Sequence, residues 1–158
     1  MKANITTNKT PTTSKMIFNE KLGNVIQYPH DDPIVLTLKV GQMNVRRVLV
    51  DTSSTAELVT MDCLRKLKYE THHLEPLDRP LGNKGNGRSI MVRFTVIDIK
   101  FPYNVIMGIP LIKKVKTVIS THQLLLQYEK DDGSVGILQG DQKVARECQI
   151  NTLKIEMS

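Results

Sequence analysis

Apolar and polar positions alternate in several short runs along the chain, the pattern of half-buried β-strands. From residue 34 to 39 apolar side chains recur at every second position, and a turn at Gly41–Gln42 leads into a second run from Val45 to Val50. This pattern predicts a β-hairpin. The second strand becomes continuously apolar just before Asp51, which indicates a strand buried on both faces.

The same patterns place further short elements along the rest of the chain. Strands are predicted over residues 91–99, 103–107, 115–120, 124–128 and 135–138. Short helices are predicted over residues 62–67, 109–114 and 142–152, the last one capped by Asp141. Many short strands with two or three short helices predict a mostly β domain.

The length of 158 residues and the hydrophobic content of 40% indicate one globular domain with short extensions. Residues 1–16 contain no acidic residue and show no apolar period, so we expect a disordered N-terminal tail there. The folded domain is predicted over residues 17–139. Residues 140–158 are expected to form a C-terminal linker and helix.

Two sequence features bear on the compartment of the protein. No apolar run approaches about 18 residues, and the N-terminus lacks the apolar core of a signal peptide, so we expect neither a membrane span nor secretion. Cys63 and Cys148 lie far apart and form no CxxC pattern, which predicts reduced thiols and no cysteine zinc site. We therefore expect an intracellular protein, cytoplasmic or nuclear.

The net charge of +6 raises the question of a polyanionic partner. The basic clusters are small, and aromatic residues make up only 4% with no Trp, which argues against nucleic-acid binding. The four histidines are one adjacent pair, His72–His73, and the single residues His30 and His122, a spacing that does not converge on a metal. The glycines of residues 82–87 match no phosphate-binding loop. No cofactor is expected.

Asp51 is the main candidate for chemistry. It ends a buried strand and precedes the hydroxyl side chains of Thr52, Ser53 and Ser54, a setting that fixes an ionisable group in place. The alternative is structural: Ser54 and Glu57 have the spacing of a helix capping box, and Asp51 then merely ends a strand. Both interpretations remain open on this segment alone.

Two segments together resemble a known family. Residues 50–54 are similar to the active-site motif of retropepsin-like aspartic proteases, and Asn104–Gly108 with the following helix resembles the second hallmark of that family. Across residues 17–153 the chain resembles the protease segment of plant Ty3/gypsy-type retrotransposon polyproteins. Its matches lie at residues 25–32, 47–52, 103–108, 118–122 and 140–148.

The resemblance implies a single-lobe, retropepsin-like β-barrel that acts as a homodimer on a polypeptide substrate without a metal. It assigns Asp51 as the catalytic residue and Thr52, Ser53 and Ser54 as the active-site loop, with Ile106, Met107 and Gly108 as the second motif. Thr52 is expected to buttress Asp51 at the dimer interface. The implied activity is that of an aspartic endopeptidase, a hydrolase that cleaves a polyprotein.

Two departures from the family pattern predict impaired activity. Ser53 stands where the family has Gly, and the β-hairpin flap is missing near residues 81–82. A flap excludes water and supplies backbone hydrogen bonds to an extended peptide. The alternative function is therefore that of a catalytically inactive relic acting as a dimerisation or peptide-binding module, and the altered loop predicts a weak dimer.

Overall fold

The computed structural model describes residues 7–19, 25–73 and 87–157. Six strands close a barrel in the order β1-β2-β3-β6-β4-β5, and three more form a separate sheet in the order β7-β8-β9. The barrel strands are β1 Thr7–Asn19, β2 Val35–Val40, β3 Met43–Val50, β4 Leu58–Thr60, β5 Gly87–Ile97 and β6 Val105–Met107. The second sheet holds β7 Val118–Ser120, β8 Leu125–Glu129 and β9 Val135–Gln139.

Three helices accompany the strands: α1 Met61–His73, α2 Ile109–Lys114 and α3 Gln142–Met157. The predicted fold class, a mostly β barrel with two or three short helices, is confirmed. Within the described ranges, no helix combines the length and the apolar character needed to cross a membrane.

The predicted hairpin is formed by β2 and β3, which pair antiparallel through the turn at Gly41, whose φ is +62°. That left-handed conformation suits glycine. The register shifts once: Leu36 pairs with Val48 but Leu38 pairs with Val45. Two residues of β3 therefore face one residue of β2, which is the geometry of a β-bulge.

Short buried strands form the centre of the barrel wall. β6 lies between β3, to which it runs parallel, and β4, to which it runs antiparallel. All three residues of β6 are buried. Parallel pairing places the carboxyl ends of β3 and β6 at the same edge of the sheet. The segments that follow these two strands are therefore neighbours.

The helix α3 packs on the outside of the barrel. Asp141 caps it, because its Oδ1 accepts a hydrogen bond from the Val144 N–H at 3.1 Å, as the sequence predicts. The buried residues that join α3 to the barrel form a cluster of their own, separate from the barrel core: Val35, Tyr103, Val144, Ala145 and Cys148.

The structure differs from the sequence prediction at the N-terminal tail. Residues 7–16, expected to be disordered, belong to β1, which pairs with β5 over most of its length and with β2 through Met16 and Ile17. Met16 and Phe18 are fully buried. Backbone pairing with two neighbours stabilises this polar strand, whose own apolar pattern begins only at Met16.

The structure also extends α1, which was predicted over residues 62–67, to His73. The segment just before it forms β4. The predicted absence of the flap, near residues 81–82, lies outside the described residues.

Candidate active site at the carboxyl ends of two parallel strands

Asp51 follows β3 directly, at the edge where β6 also ends. The last residues of the two strands pair as Leu49 with Ile106 and Val50 with Met107. The Asp51 N–H then donates to the Met107 carbonyl at 2.9 Å, which continues the pairing by one residue. Asp51 itself is half-buried. The structure therefore brings the two sequence motifs together and presents one carboxylate at the barrel edge.

The side chain of Asp51 is held by the residue two positions later. Its Oδ1 accepts hydrogen bonds from the Ser53 N–H at 2.9 Å and from the Ser53 hydroxyl at 2.6 Å. Hydrogen bonds to a carboxylate are stronger than those between neutral groups, so Ser53 orients this side chain. Thr52 and Ser53 are both exposed. The tip of the loop thus faces solvent in the single chain.

Ser53 is the first departure from the family pattern, which has Gly at this position of the turn. The described non-glycine residues with positive φ are Arg47, Lys116 and Leu124, and Ser53 is not among them. The turn in this chain therefore accommodates a serine without the left-handed conformation that favours glycine. Ser53 therefore changes the site through the hydrogen bond from its hydroxyl to Asp51, and its backbone is not strained.

Gly108 brings the second motif against the active-site loop. The Ile109 N–H donates to the Ser54 carbonyl at 2.8 Å. A Cβ placed on Gly108 would lie 2.4 Å from the Ala56 carbonyl oxygen and 2.9 Å from that of Ser54. These are backbone atoms, so only glycine permits this close approach. Ile106 and Met107, the other two residues of the motif, are buried in β6.

Glu57 connects the loop to α2 in a way that the sequence did not predict. Its Oε2 accepts hydrogen bonds from the N–H groups of Gly108 at 3.2 Å and Leu111 at 3.4 Å, so it caps α2. The predicted capping-box alternative is wrong, because no helix begins at Ser54, whose hydroxyl instead donates to the Ala56 carbonyl at 2.7 Å. The sequence held one signal of this role: an acidic residue stands between Ala56 and the apolar strand β4, where burial requires a hydrogen-bond partner.

Glu57 is a buried acid. The residue is 8% exposed, and this burial raises the pKa of its carboxyl above the ordinary value of 4.5, against the opposing effect of the Leu111 and Gly108 backbone hydrogen bonds. Its own carbonyl accepts from the Thr95 N–H at 2.8 Å. Glu57 therefore ties together the active-site loop, α2 and β5.

A polar cluster joins two further segments of the family resemblance. The Asp32 carboxylate, with its side chain 7% exposed, accepts from Arg146 Nε at 3.1 Å and from Gln142 Nε2 at 3.0 Å. Arg146 also donates to the Gln27 side chain at 2.8 Å. These bonds attach α3 to the segment preceding β2. These bonds dock the helix on the barrel, and none of them involves the Asp51 carboxylate.

The remaining polar candidates form no metal centre in the described part of the chain. His30 donates through Nε2 to the His122 carbonyl at 2.7 Å, because a carbonyl oxygen only accepts, and its Nδ1 accepts from the Asp32 N–H. Cys63 and Cys148 are free and buried.

Comparison with known proteins leaves the family open. No protein-family model matches the chain, and no curated protein matches its sequence. Among solved structures, it is similar to the retroviral protease-like domain of Ddi1 from Leishmania major, with 14% identity and a TM-score of 0.48. The alignment covers 69% of this chain and 96% of that one. A likeness at this level assigns neither a family nor an activity to the chain.

Proposed function

We propose that this chain is a retropepsin-like aspartic endopeptidase domain of the kind found in plant Ty3/gypsy-type retrotransposon polyproteins. The observation that carries the proposal is the junction of the two motifs: Asp51 follows β3 while Gly108 follows the parallel β6 and packs beneath the Asp51 loop. This arrangement holds the Asp51 carboxylate at a fixed position on the barrel edge, beside the second motif, as a chemical role for it requires.

A single chain contributes one Asp51, whereas the proposed reaction needs two carboxylates. In the proposed homodimer the exposed Thr52 and Ser53 face the same loop of the partner, and the two aspartates share one proton because like charges repel at short range. One carboxylate then takes a proton from water as the water attacks the peptide carbonyl, and the protonated partner donates to the carbonyl oxygen.

Ser53 specifically favours a second candidate, an inactive relic that acts as a dimerisation or peptide-binding module. Its hydroxyl donates to Asp51 Oδ1 at 2.6 Å and so occupies a carboxylate oxygen that the proposed reaction uses. The flap missing from the sequence acts in the same direction, since an open groove does not exclude water. The enzyme proposal accordingly includes reduced activity.

The decisive experiment is cleavage of an unstructured protein at about pH 4–6, on the acid side of neutrality, because a carboxylate pair loses its shared proton as the pH rises. Asp51→Asn removes the acid with little change in size, and Asp98→Asn is the control at an exposed aspartate. We expect weak cleavage that disappears in Asp51→Asn and persists in Asp98→Asn. Cleavage that survives Asp51→Asn would refute the aspartic mechanism.

Sedimentation separates the two candidates further. We expect a weak dimer, with cleavage that falls more steeply than the protein concentration as the dimer dissociates. Activity that stays with the monomer at high dilution would contradict the paired site. A folded dimer without any cleavage would favour the binding module.

A further inference from the structure

A polar pocket lies at the ends of β3 and β6 opposite to the Asp51 loop. It has a volume of about 290 Å³ and is lined by the first five residues of β3, the first turns of α1, Asn104 and α3. Asn104 precedes β6, and Val48 pairs with Val105 at the start of that strand. The pocket therefore opens at the amino ends of the parallel β3–β6 pair, whereas Asp51 follows their carboxyl ends.

The bulge of β3 builds one wall of this pocket. Arg46 and Arg47 together face the single residue Thr37 of β2, and Arg47 adopts a φ of 58°, which is rare for a non-glycine residue. Asn104 fixes the bulge: its N–H donates to the Arg47 carbonyl at 2.9 Å and its side-chain amide to the Arg46 carbonyl at 2.7 Å. Both arginines line the cavity.

The pocket carries an excess of positive charge. Arg46, Arg47 and Lys66 line it together with one acidic residue, Glu147. Among the residues that the structure describes, none of the three cations forms an ion pair, although Arg65, Arg88, Lys116 and Arg146 each do. Within the described ranges, the Arg47 guanidinium donates a long hydrogen bond to the Asn104 side-chain oxygen, at 3.4 Å.

The positive charges at the pocket also affect the pKa values of its two buried thiols, Cys63 and Cys148. Burial raises the pKa of Cys63 to about 11, and the neighbouring Lys66 and Arg47 charges oppose this rise. Burial also raises the pKa of Cys148, where Arg47 and Arg46 again oppose the shift and Glu147 adds to it. These directions agree with the cavity lining, in which cations from β3 and α1 lie beside both thiols.

We propose that this pocket binds a small phosphate-bearing ligand. Arg46 and Arg47 bring guanidinium groups, whose planar donors suit phosphate oxygens, to one cavity, and Lys66 adds a third positive charge. A volume of about 290 Å³ falls at the lower limit of small-molecule sites, which suits a single phosphorylated group rather than a nucleotide. The site is independent of the proposed peptidase activity, because it involves neither Asp51 nor its loop.

The test is a titration of the full chain with inorganic phosphate, followed by amide chemical shifts, with chloride at matched ionic strength as the reference. We expect saturable shifts at Arg46, Arg47 and Asn104 that chloride does not reproduce. A parallel titration with a phosphoserine peptide identifies the source of the phosphate, because whichever of inorganic phosphate and the phosphopeptide fits the site better binds more tightly. The unphosphorylated peptide is the control and is expected not to bind.

The matched variants are Arg47→Gln in the pocket and Arg93→Gln at an exposed position of β5. We expect Arg47→Gln to weaken phosphate binding at least about tenfold and Arg93→Gln to leave it unchanged. If Arg47→Gln does not fold, the double variant Arg46→Gln/Lys66→Gln is expected to show the same loss. Absence of saturable shifts, equal shifts with chloride, or equal weakening by Arg93→Gln would overturn the proposal.

Discussion

The carboxylate of Glu57 accepts a hydrogen bond from the Gly108 backbone N–H at 3.2 Å, across 51 positions of sequence. The bond joins the segment that follows Asp51 to the second motif of the candidate site. It also places a buried acid at the first turn of α2, where backbone N–H groups lack partners within the helix. The position of the Asp51 loop therefore depends on a residue outside both motifs.

Replacement of Glu57 tests that dependence. Glu57→Ala leaves two N–H groups without an acceptor in a buried site, and we expect a loss of about 1–3 kcal/mol in the free energy of unfolding. Glu57→Gln keeps one acceptor oxygen and should lose less. Urea denaturation measures both variants. Equal stability of wild type and Glu57→Ala would show that the cap contributes nothing.

The Glu57 carboxyl also predicts a pH dependence. Burial raises its pKa in the folded state above 4.5, so the folded protein binds the proton more tightly than the unfolded chain. This contribution to stability is complete below about pH 4.5 and is lost as the pH rises through the folded pKa. The stability of wild type relative to Glu57→Gln should therefore fall as the pH rises from 4.5. A difference that rises over this range would contradict the burial argument.

Gly108→Ala tests the close approach of α2 to the loop. The new Cβ would meet backbone oxygens of Ala56 and Ser54, which cannot move without displacing the loop. We expect destabilisation of about 1–3 kcal/mol, the usual cost of overpacking, measured by thermal unfolding. Gly140→Ala is the control, because its Cβ would meet its nearest neighbour, an Ile34 methyl group, at 3.3 Å. Equal effects of the two variants would exclude a special role for Gly108.

Arg146→Ala tests the attachment of α3. Loss of the guanidinium leaves the Asp32 carboxylate, only 7% exposed, without its cation, and we expect a cost of about 2 kcal/mol because Arg146 itself is partly exposed. The matched control is Arg65→Ala, which breaks an exposed ion pair with Asp62 and should cost less than about 1 kcal/mol. Denaturant titration compares them. A smaller loss for Arg146→Ala than for Arg65→Ala would refute this assignment.

The proposed impairment predicts how activity returns. Ser53→Gly alone releases Asp51 Oδ1 from the hydroxyl but leaves the groove open, so we expect little gain in cleavage rate. Grafting a flap hairpin between Leu81 and Gly82 together with Ser53→Gly should give more than the two separate gains combined, because both act on one transition state. Cleavage assays at acid pH compare the variants. A folded, dimeric double variant without activity would contradict this account.

Local pattern alone determined a substantial part of this protein. Period-two alternation and Gly41 define the β2–β3 hairpin, the apolar run before Asp51 places that acid at a strand end, and Asp141 marks the start of α3. These features depend on residues a few positions apart, which is the range over which strand alternation, turns and caps operate.

Tertiary structure decided the features that need a distant partner. The polar residues 7–16 form a strand because β5 supplies backbone hydrogen bonds, although their own sequence lacks an apolar period. Glu57 caps α2 instead of a local helix because the barrel brings Gly108 to it, and Asp32 meets Arg146 from 114 positions away. Closure of the barrel sets these long-range contacts, since it fixes which strands and loops become neighbours and which polar groups must be satisfied when buried.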